Sequence, residues 1–335
     1  MEPVYLDHAA TTPVRPEVRA AMDANLDDAF GNPSSAHRWG RKAAAALDRA
    51  RARAAEALGA RPSEILFVRG GTESDNLAVR GRWAAIRRRE PHPLVVHTAL
   101  EHPAVRETAT ALEAEGARRE VLPVDRSGAP DLELLGRILS RSPAVVSMMW
   151  VNNEVGTVLP VPEAARLCAG AGVALHTDAV QAVGKIRVRV DEVPLALLTA
   201  TGHKIGGPRG TGILFVREGT ELVPLLLGGG QERGLRPGTQ DVAGAVGMAE
   251  ALALAVAEQE DEARRLGALR DHLEGALLAR LPGLRVHGVG GVRAPHVLNL
   301  GVPGADPAAL VQALDLEGIA ASSGSACSSG ANRAG

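Results

Sequence analysis

The chain has 335 residues, 45% of them hydrophobic, enough to bury one large core or two moderate ones. A formal net charge of −2 and an aromatic content of 2% argue against a polyanion-binding surface or a base-stacking platform. The two cysteines, Cys168 and Cys327, form neither a disulfide framework nor a zinc spacing, which points to a reducing, cytoplasmic setting.

The opening "MEPVYLDHAATTPVRPEV" lacks the basic-then-apolar pattern of a signal peptide. "PEVRAAMDANLDDAF" and "AHRWGRKAAAALDRARARAAEALG" predict helices, and "EILFVRG" a strand leading to the helix "DNLAVRGRWAAIRRR". The strand "PLVVHT" then precedes the helix "PAVRETATALEAEG", and the strand "AVVSMMWV" precedes the helix "PEAARLCAGAG". "VALHT", "LALLTAT" and "GILFVRE" are further strands. Continuous apolar runs between helices predict a doubly wound, mostly parallel α/β sheet buried on both faces. A long alanine- and leucine-rich helix from about Asp241 to about Leu281 leaves this alternation; Glu250 interrupts it, so it is not a membrane span. "GLRVHGV", "HVLNLGV" and the helix "DPAALVQALDLEG" then predict a smaller α+β unit. The expected division is a large domain over 15–255 and a small one built from 1–14 and 256–335.

Lysine occurs only at Lys42, Lys185 and Lys204 among 37 basic residues. Arginine replaces lysine on most solvated faces, but not where an amine must lose its proton and act as a nucleophile. Lys204 ends the apolar run "LALLTAT" and precedes the tight turn "GGPRG", with Thr201 and His203 beside it. In "LFVRGGTESDNLAV", Gly70 and Gly71 between a strand and a helix start suit a phosphate; a plain helix cap by Thr72 or Ser74 is the other reading. In "LHTDAVQAVGK", Asp178 stands just past a strand, where open α/β sheets bind ligands. Gln181 would share its face if the chain turned helical, and Asp178 could equally be a helix N-cap. A nucleophilic lysine, a strand-edge carboxylate and a phosphate pocket are the set that a pyridoxal phosphate enzyme needs. His102 and Asn153 taken alone read as a helix-start residue and a turn residue, and Cys168 as core. The stretch "ASSGSACSSGAN" surrounds Cys327 with small residues only, which predicts a mobile, exposed loop; a tolerated surface thiol is the alternative.

The ordered motifs "YLDHAATTP", "FGNPSSAH", "GGTESDN", "EHPAV", "VNNEVG", "TDAVQAVGK", "TGHKIGGPRG", "GGGQERGLRPGT" and "SSGSACSSG" resemble those of cysteine desulfurases over nearly the whole chain. These are fold-type I pyridoxal phosphate enzymes, and the short cysteine stretch resembles the shorter-loop, iron–sulfur-assembly branch. The resemblance implies that Lys204 forms the imine with the cofactor, Asp178 pairs with its ring nitrogen, and Gln181 bonds its ring oxygen. It makes His102 the residue stacked on the ring, and Gly71, Thr72, Thr201 and His203 phosphate contacts. Thr239 becomes a phosphate contact lent by a second subunit, hence a homodimer with a shared site. Asn153 lies by cofactor and substrate carboxylate. Cys327 carries the persulfide taken from L-cysteine; no resident metal is implied, though Cys327 could ligate an iron–sulfur cluster transiently with a partner. An iron–sulfur scaffold protein or a tRNA-thiolation sulfur carrier is the implied acceptor, with no membrane or direct nucleic-acid partner. Family members run on past the point where this sequence stops, and the resemblance puts a carboxylate-clamping arginine in that later segment, which would leave the small domain incomplete here. The alternatives are a selenocysteine lyase or another lyase or aminotransferase of the same fold and, from a different class, a non-catalytic scaffold.

Overall fold

The computed structural model describes residues 2–324. Cys327 therefore lies outside the described residues. The chain opens with β1 (Val4–Tyr5), then α1 (Pro16–Asp28) and α2 (Arg38–Leu58). The alanines of α2 bury an almost side-chain-free face, and α2 stops at Gly59 in the left-handed conformation, φ 71°. A larger residue would be strained there by the positive φ and would push aside the Asp191 carboxylate, 2.3 Å from an added Cβ. The α/β alternation follows as β2 (Ile65–Val68), α3 (Gly71–Arg87), β3 (Leu94–Thr98), α4 (Pro103–Glu113), β4 (Arg118–Leu122), α5 (Leu132–Leu139), β5 (Val145–Ser147) and α6 (Val161–Gly170). Three further strands, β6 (Leu175–Asp178), β7 (Leu197–Thr201) and β8 (Gly212–Val216), complete one seven-stranded sheet.

The strand order is β2-β8-β7-β6-β5-β3-β4. The run from β7 to β4 is parallel, whereas β8 is antiparallel to both β7 and β2. Every residue of β3, β5, β6, β7 and β8 is buried, as expected for strands covered on both faces. The expected doubly wound α/β sheet is thus present. Cys168 on α6 is fully buried in its core, and burial pushes its thiol up to about 12.

The expected single helix over 241–281 is two: α7 (Val242–Ala257) and α8 (Gln259–Arg280), bent by 70°. The break falls on Glu258, whose carboxylate takes a two-pronged contact from Arg15 at 2.6 and 2.9 Å. Periodicity reports an apolar face but not a clamp that arrives from 243 residues away. Here α7 packs its small residues on α1 and α2, while α8 buries none of its residues. The remaining elements are β9 (Arg285–Val286), β10 (Leu300–Gly301), α9 (Pro307–Leu316) and β11 (Ile319–Ala320). β9 pairs antiparallel with β10, and β11 pairs in parallel with β1, Val4 opposite Ile319, so the start of the chain joins its later part. No single helix among the described residues is long and apolar enough to cross a membrane.

One buried ion pair fixes the loop that carries Thr239. Glu232, 5% exposed, accepts from Arg51 at 2.7 and 2.6 Å and from the Phe67 amide at 3.0 Å. Removing one partner of such a pair leaves a charge without compensation. Glu232→Ala is expected to destabilise the protein by about 3–5 kcal/mol, read from chemical denaturation. A loss within experimental error would show that the pair does not hold the loop.

Candidate active site

The site forms at the carboxyl ends of the parallel strands, where an open α/β sheet leaves a crevice. Asp178 is the last residue of β6, and β7 ends at Thr201 before a short turn, Gly202–Lys204, that swings Lys204 back over the sheet edge. One cleft brings together Asp178, Gln181, Thr201, His203 and Lys204 with Gly71 and Thr72 from the start of α3. His102 and Asn153 complete the same lining. Every described site residue expected from the sequence thus meets in one place, except Thr239, which is exposed and outside this cleft; Cys327 lies outside the described residues.

Lys204 is 8% exposed and donates from Nζ to the Ala9 and Ala10 carbonyls at 2.5 and 2.7 Å. The N-terminal segment is held against this turn: Thr12 N and Oγ1 donate to the His203 carbonyl at 2.7 and 2.9 Å, and Gly206 N donates to Thr12 Oγ1 at 2.8 Å. Asp7, which also lines the cleft, accepts from Ser322 Oγ at 2.8 Å.

Asp178 is buried, and its Oδ1 accepts from the Val180 amide at 2.9 Å. The chain after it makes turns, not the helix considered above, yet Gln181 still reaches the cleft. Burial first, then the neighbouring Asp75, pushes the Asp178 carboxyl up to about 7. A carboxyl burdened in this way is relieved by a cation placed against it.

The capping alternative for the glycine turn does not hold. α3 starts at Gly71 itself, its N-cap is Gly70 at φ 137°, and no side chain caps it. The first-turn N–H groups and the positive end of a 17-residue helix therefore face the cleft, as an anion site requires. The Thr201 hydroxyl donates to the Thr211 carbonyl at 2.8 Å. His203 Nδ1 lies 3.3 Å from Thr11 Oγ1, and burial, then Lys204, pulls its imidazole down to about 4. His102 is both the N-cap of α4, its Nδ1 accepting from Ala104 N at 3.1 Å, and a wall of the cleft. That bond leaves the proton on Nε2, and burial, then Lys204, holds the ring below its usual range, so it is neutral near pH 7.

Four functional neighbours escaped the sequence reading. His296 Nε2 lies 3.1 Å from Gln181 Oε1, while Gln181 Nε2 donates to the Ala9 carbonyl at 2.8 Å. The amide thus has a single orientation, and His296, pulled down to about 3 by burial, is the neutral Nε2–H donor. Asp75 lines the cleft from α3, and Glu101 and His176 lie beneath it. The spacing of His176 and Asp178, two apart on one strand, was the signal for a shared face. Nothing local marked His296.

A nucleophilic amine beside a buried acid and an uncapped helix end is a donor set that fits pyridoxal phosphate: aldehyde, ring nitrogen and phosphate each meet a matching group. The profile of the aminotransferase class-V family matches residues 4–334. The chain is 42% identical to cysteine desulfurase IscS of Dictyoglomus turgidum over 97% of its length and 82% of that protein's. It is 43% identical to cysteine desulfurase NifS of Azotobacter vinelandii, over 98% of this chain and 82% of that one. The chain belongs to the cysteine desulfurase family. A solved NifS-like protein superimposes with a TM-score of 0.90 at 35% identity, covering 95% of this chain and 87% of the other. Cysteine desulfurases are sulfur-transfer enzymes of the class-V aminotransferases, a family of pyridoxal phosphate enzymes. The mostly parallel, helix-flanked sheet described above is the fold that this chain shares with that NifS-like protein.

Proposed function

We propose that this chain binds pyridoxal 5'-phosphate and removes sulfur from L-cysteine, releasing L-alanine and leaving a persulfide on Cys327. The carrying observation is that Lys204 and Asp178, 26 positions apart, converge in one cleft with the uncapped start of α3. When bound, the cofactor supplies an aldehyde for Lys204 and a ring that accepts the electron pair from the substrate's Cα. Lys204 would anchor the cofactor and would take the proton from the substrate's Cα. Asp178 keeps the ring nitrogen protonated. Gln181, oriented by His296 and the Ala9 carbonyl, bonds the ring oxygen, and His102 stacks on the ring. The first turn of α3 at Gly71 and Thr72 holds the phosphate with Thr201 and His203. Asn153 contacts cofactor and substrate carboxylate.

Thr239 of a second copy completes the phosphate site, which makes the working form a homodimer. Its exposure on a loop pinned by Glu232 supports this reading. Residues 15–255 form the cofactor-binding domain, and 1–14 with 256–335 the smaller one; the β1–β11 pairing and the bend at Glu258 support that division. The sulfur passes in the cytoplasm to an iron–sulfur scaffold protein or a sulfur carrier for tRNA thiolation.

The purified protein is expected to be yellow, to be trapped irreversibly by borohydride at Lys204, and to form alanine from L-cysteine in step with sulfide when a thiol reductant is present. A colourless protein that takes up no cofactor overturns this reading and favours the scaffold.

A further inference from the structure

Beneath the cleft lies a buried polar cluster that the proposed chemistry leaves unused. Asp75, Glu101 and His176 are 1%, 2% and 0% exposed. Glu101 accepts from Thr98 Oγ1 at 2.6 Å and Met149 N at 2.7 Å, and its second oxygen lies 3.3 Å from Ser147 Oγ. Ser147 Oγ lies 2.9 Å from His176 Nδ1, and His176 Nε2 lies 3.0 Å from Thr199 Oγ1. Thr199 in turn donates to Ser74 Oγ at 2.9 Å, so His176 Nε2–H supplies the proton of the Thr199 contact, while the single hydroxyl proton of Ser147 lies between Glu101 and His176 Nδ1. Burial pulls His176 down to about 4, which leaves its imidazole neutral near pH 7.

Asp75 is the unusual member. Its Oδ1 has no hydrogen-bond partner although it is buried, and it stands 3.5 Å from His176 Nε2. Because His176 is neutral, that contact is not an ion pair. Asp75 also lines the cleft itself. His176 and Asp178 share one face of β6, α3 packs against that strand, and Asp75 lines the same cleft as Asp178, whose carboxyl its charge pushes up. An ionised Asp75 would be a buried charge with an orphaned oxygen, and two such carboxylates do not both ionise. The other titratable groups around the pair are Asp7, Glu101, His102, His176, His203 and Lys204. Among the described residues no group of three such side chains is arranged to hold a metal ion.

We propose that Asp75 is the second carboxyl of the site, a positioning residue that keeps the one proton of the pair so that Asp178 presents its charge to the cofactor's ring nitrogen. The proposal rests on the cofactor reading above. The proton leaves the Asp178 carboxyl and ends on Asp75 Oδ1, so the pair's net charge of one is unchanged and the ring cation neutralises it.

The sign of the pH effect follows. Burial pushes the Asp75 carboxyl up to about 7, above its unfolded value of 3.8, so the folded protein holds one extra proton between these limits. That group's contribution to stability is complete below the unfolded value and is lost as pH rises through the folded one. His176, lowered from 6.5 to about 4, acts oppositely over an overlapping range and is common to both proteins compared.

The test compares unfolding of the full-length holoenzyme and its Asp75→Asn variant between about pH 4.5 and 6.5. Asparagine keeps the shape but cannot titrate. The variant's stability should gain on the wild type's with rising pH by one proton, close to a tenfold relative change in the unfolding constant per pH unit. Parallel pH dependences overturn the proposal, since an Asp75 that keeps no proton in the folded protein would shift the curve without tilting it. Should Asp75→Asn fail to fold, infrared titration of Glu101→Gln decides: a protonated-carboxyl band persisting near neutral pH supports the shared proton, and its absence overturns it. Colour is scored separately. A yellow protein with parallel curves removes only the shared proton, whereas a colourless one with tilted curves keeps the pair and removes the cofactor reading.

Discussion

Lys204→Ala is expected to lower alanine formation from L-cysteine by at least about 10³-fold, within the range for loss of a positioned proton-transfer group. The same variant should give no borohydride-fixed adduct, since the only buried lysine of the cleft is gone. Lys204→Arg is as informative. It restores the positive charge facing the Ala9 and Ala10 carbonyls but remains protonated at any working pH, so it neither anchors an aldehyde nor takes a proton. Arginine should rescue folding without rescuing turnover. Substantial activity in either variant would remove Lys204 from the chemistry.

Cys327→Ser is expected to stay yellow while losing sulfur release by at least about 10²-fold, because a serine hydroxyl is a far weaker nucleophile than a partly ionised thiol. In the proposed step the Cys327 thiolate bonds to the substrate sulfur and the carbon–sulfur bond breaks. The electron pair stays on carbon, which is then protonated to give alanine. Colour and turnover should therefore separate in this variant, whereas in Lys204→Ala they fall together. Retained activity in Cys327→Ser would assign the chain to the lyases or aminotransferases of the same fold.

Much of the fold was legible because strands covered on both faces read as unbroken apolar runs, as in "LVVHT" and "GILFV". β4 was not, because it is the edge strand and begins Arg118, Arg119, Glu120, residues that an exposed edge favours and a central strand excludes. α5 was missed as a short segment carrying Gly136. The break at Glu258 depends on Arg15, a contact that no local window contains. The site divides in the same way. Lys204, Asp178 and Gly71 announce themselves at strand ends and a glycine turn, whereas Asp75 and Glu101 look like ordinary helix-start acids until the fold buries them. His296 acquires its role only when the later part of the chain reaches Gln181.

The placement of residues 7–15 bears on how natural variation in this protein should be interpreted. By position they resemble a tail, the region where substitutions are usually tolerated. Yet the carbonyls of Ala9 and Ala10 hold the Lys204 amine, Thr12 is bonded to the turn that presents it, and Arg15 packs where Gly206 leaves room only for hydrogen. A proline or a bulky residue introduced here would therefore behave as an active-site lesion, and such alleles belong with those at Lys204 when their severity is ranked.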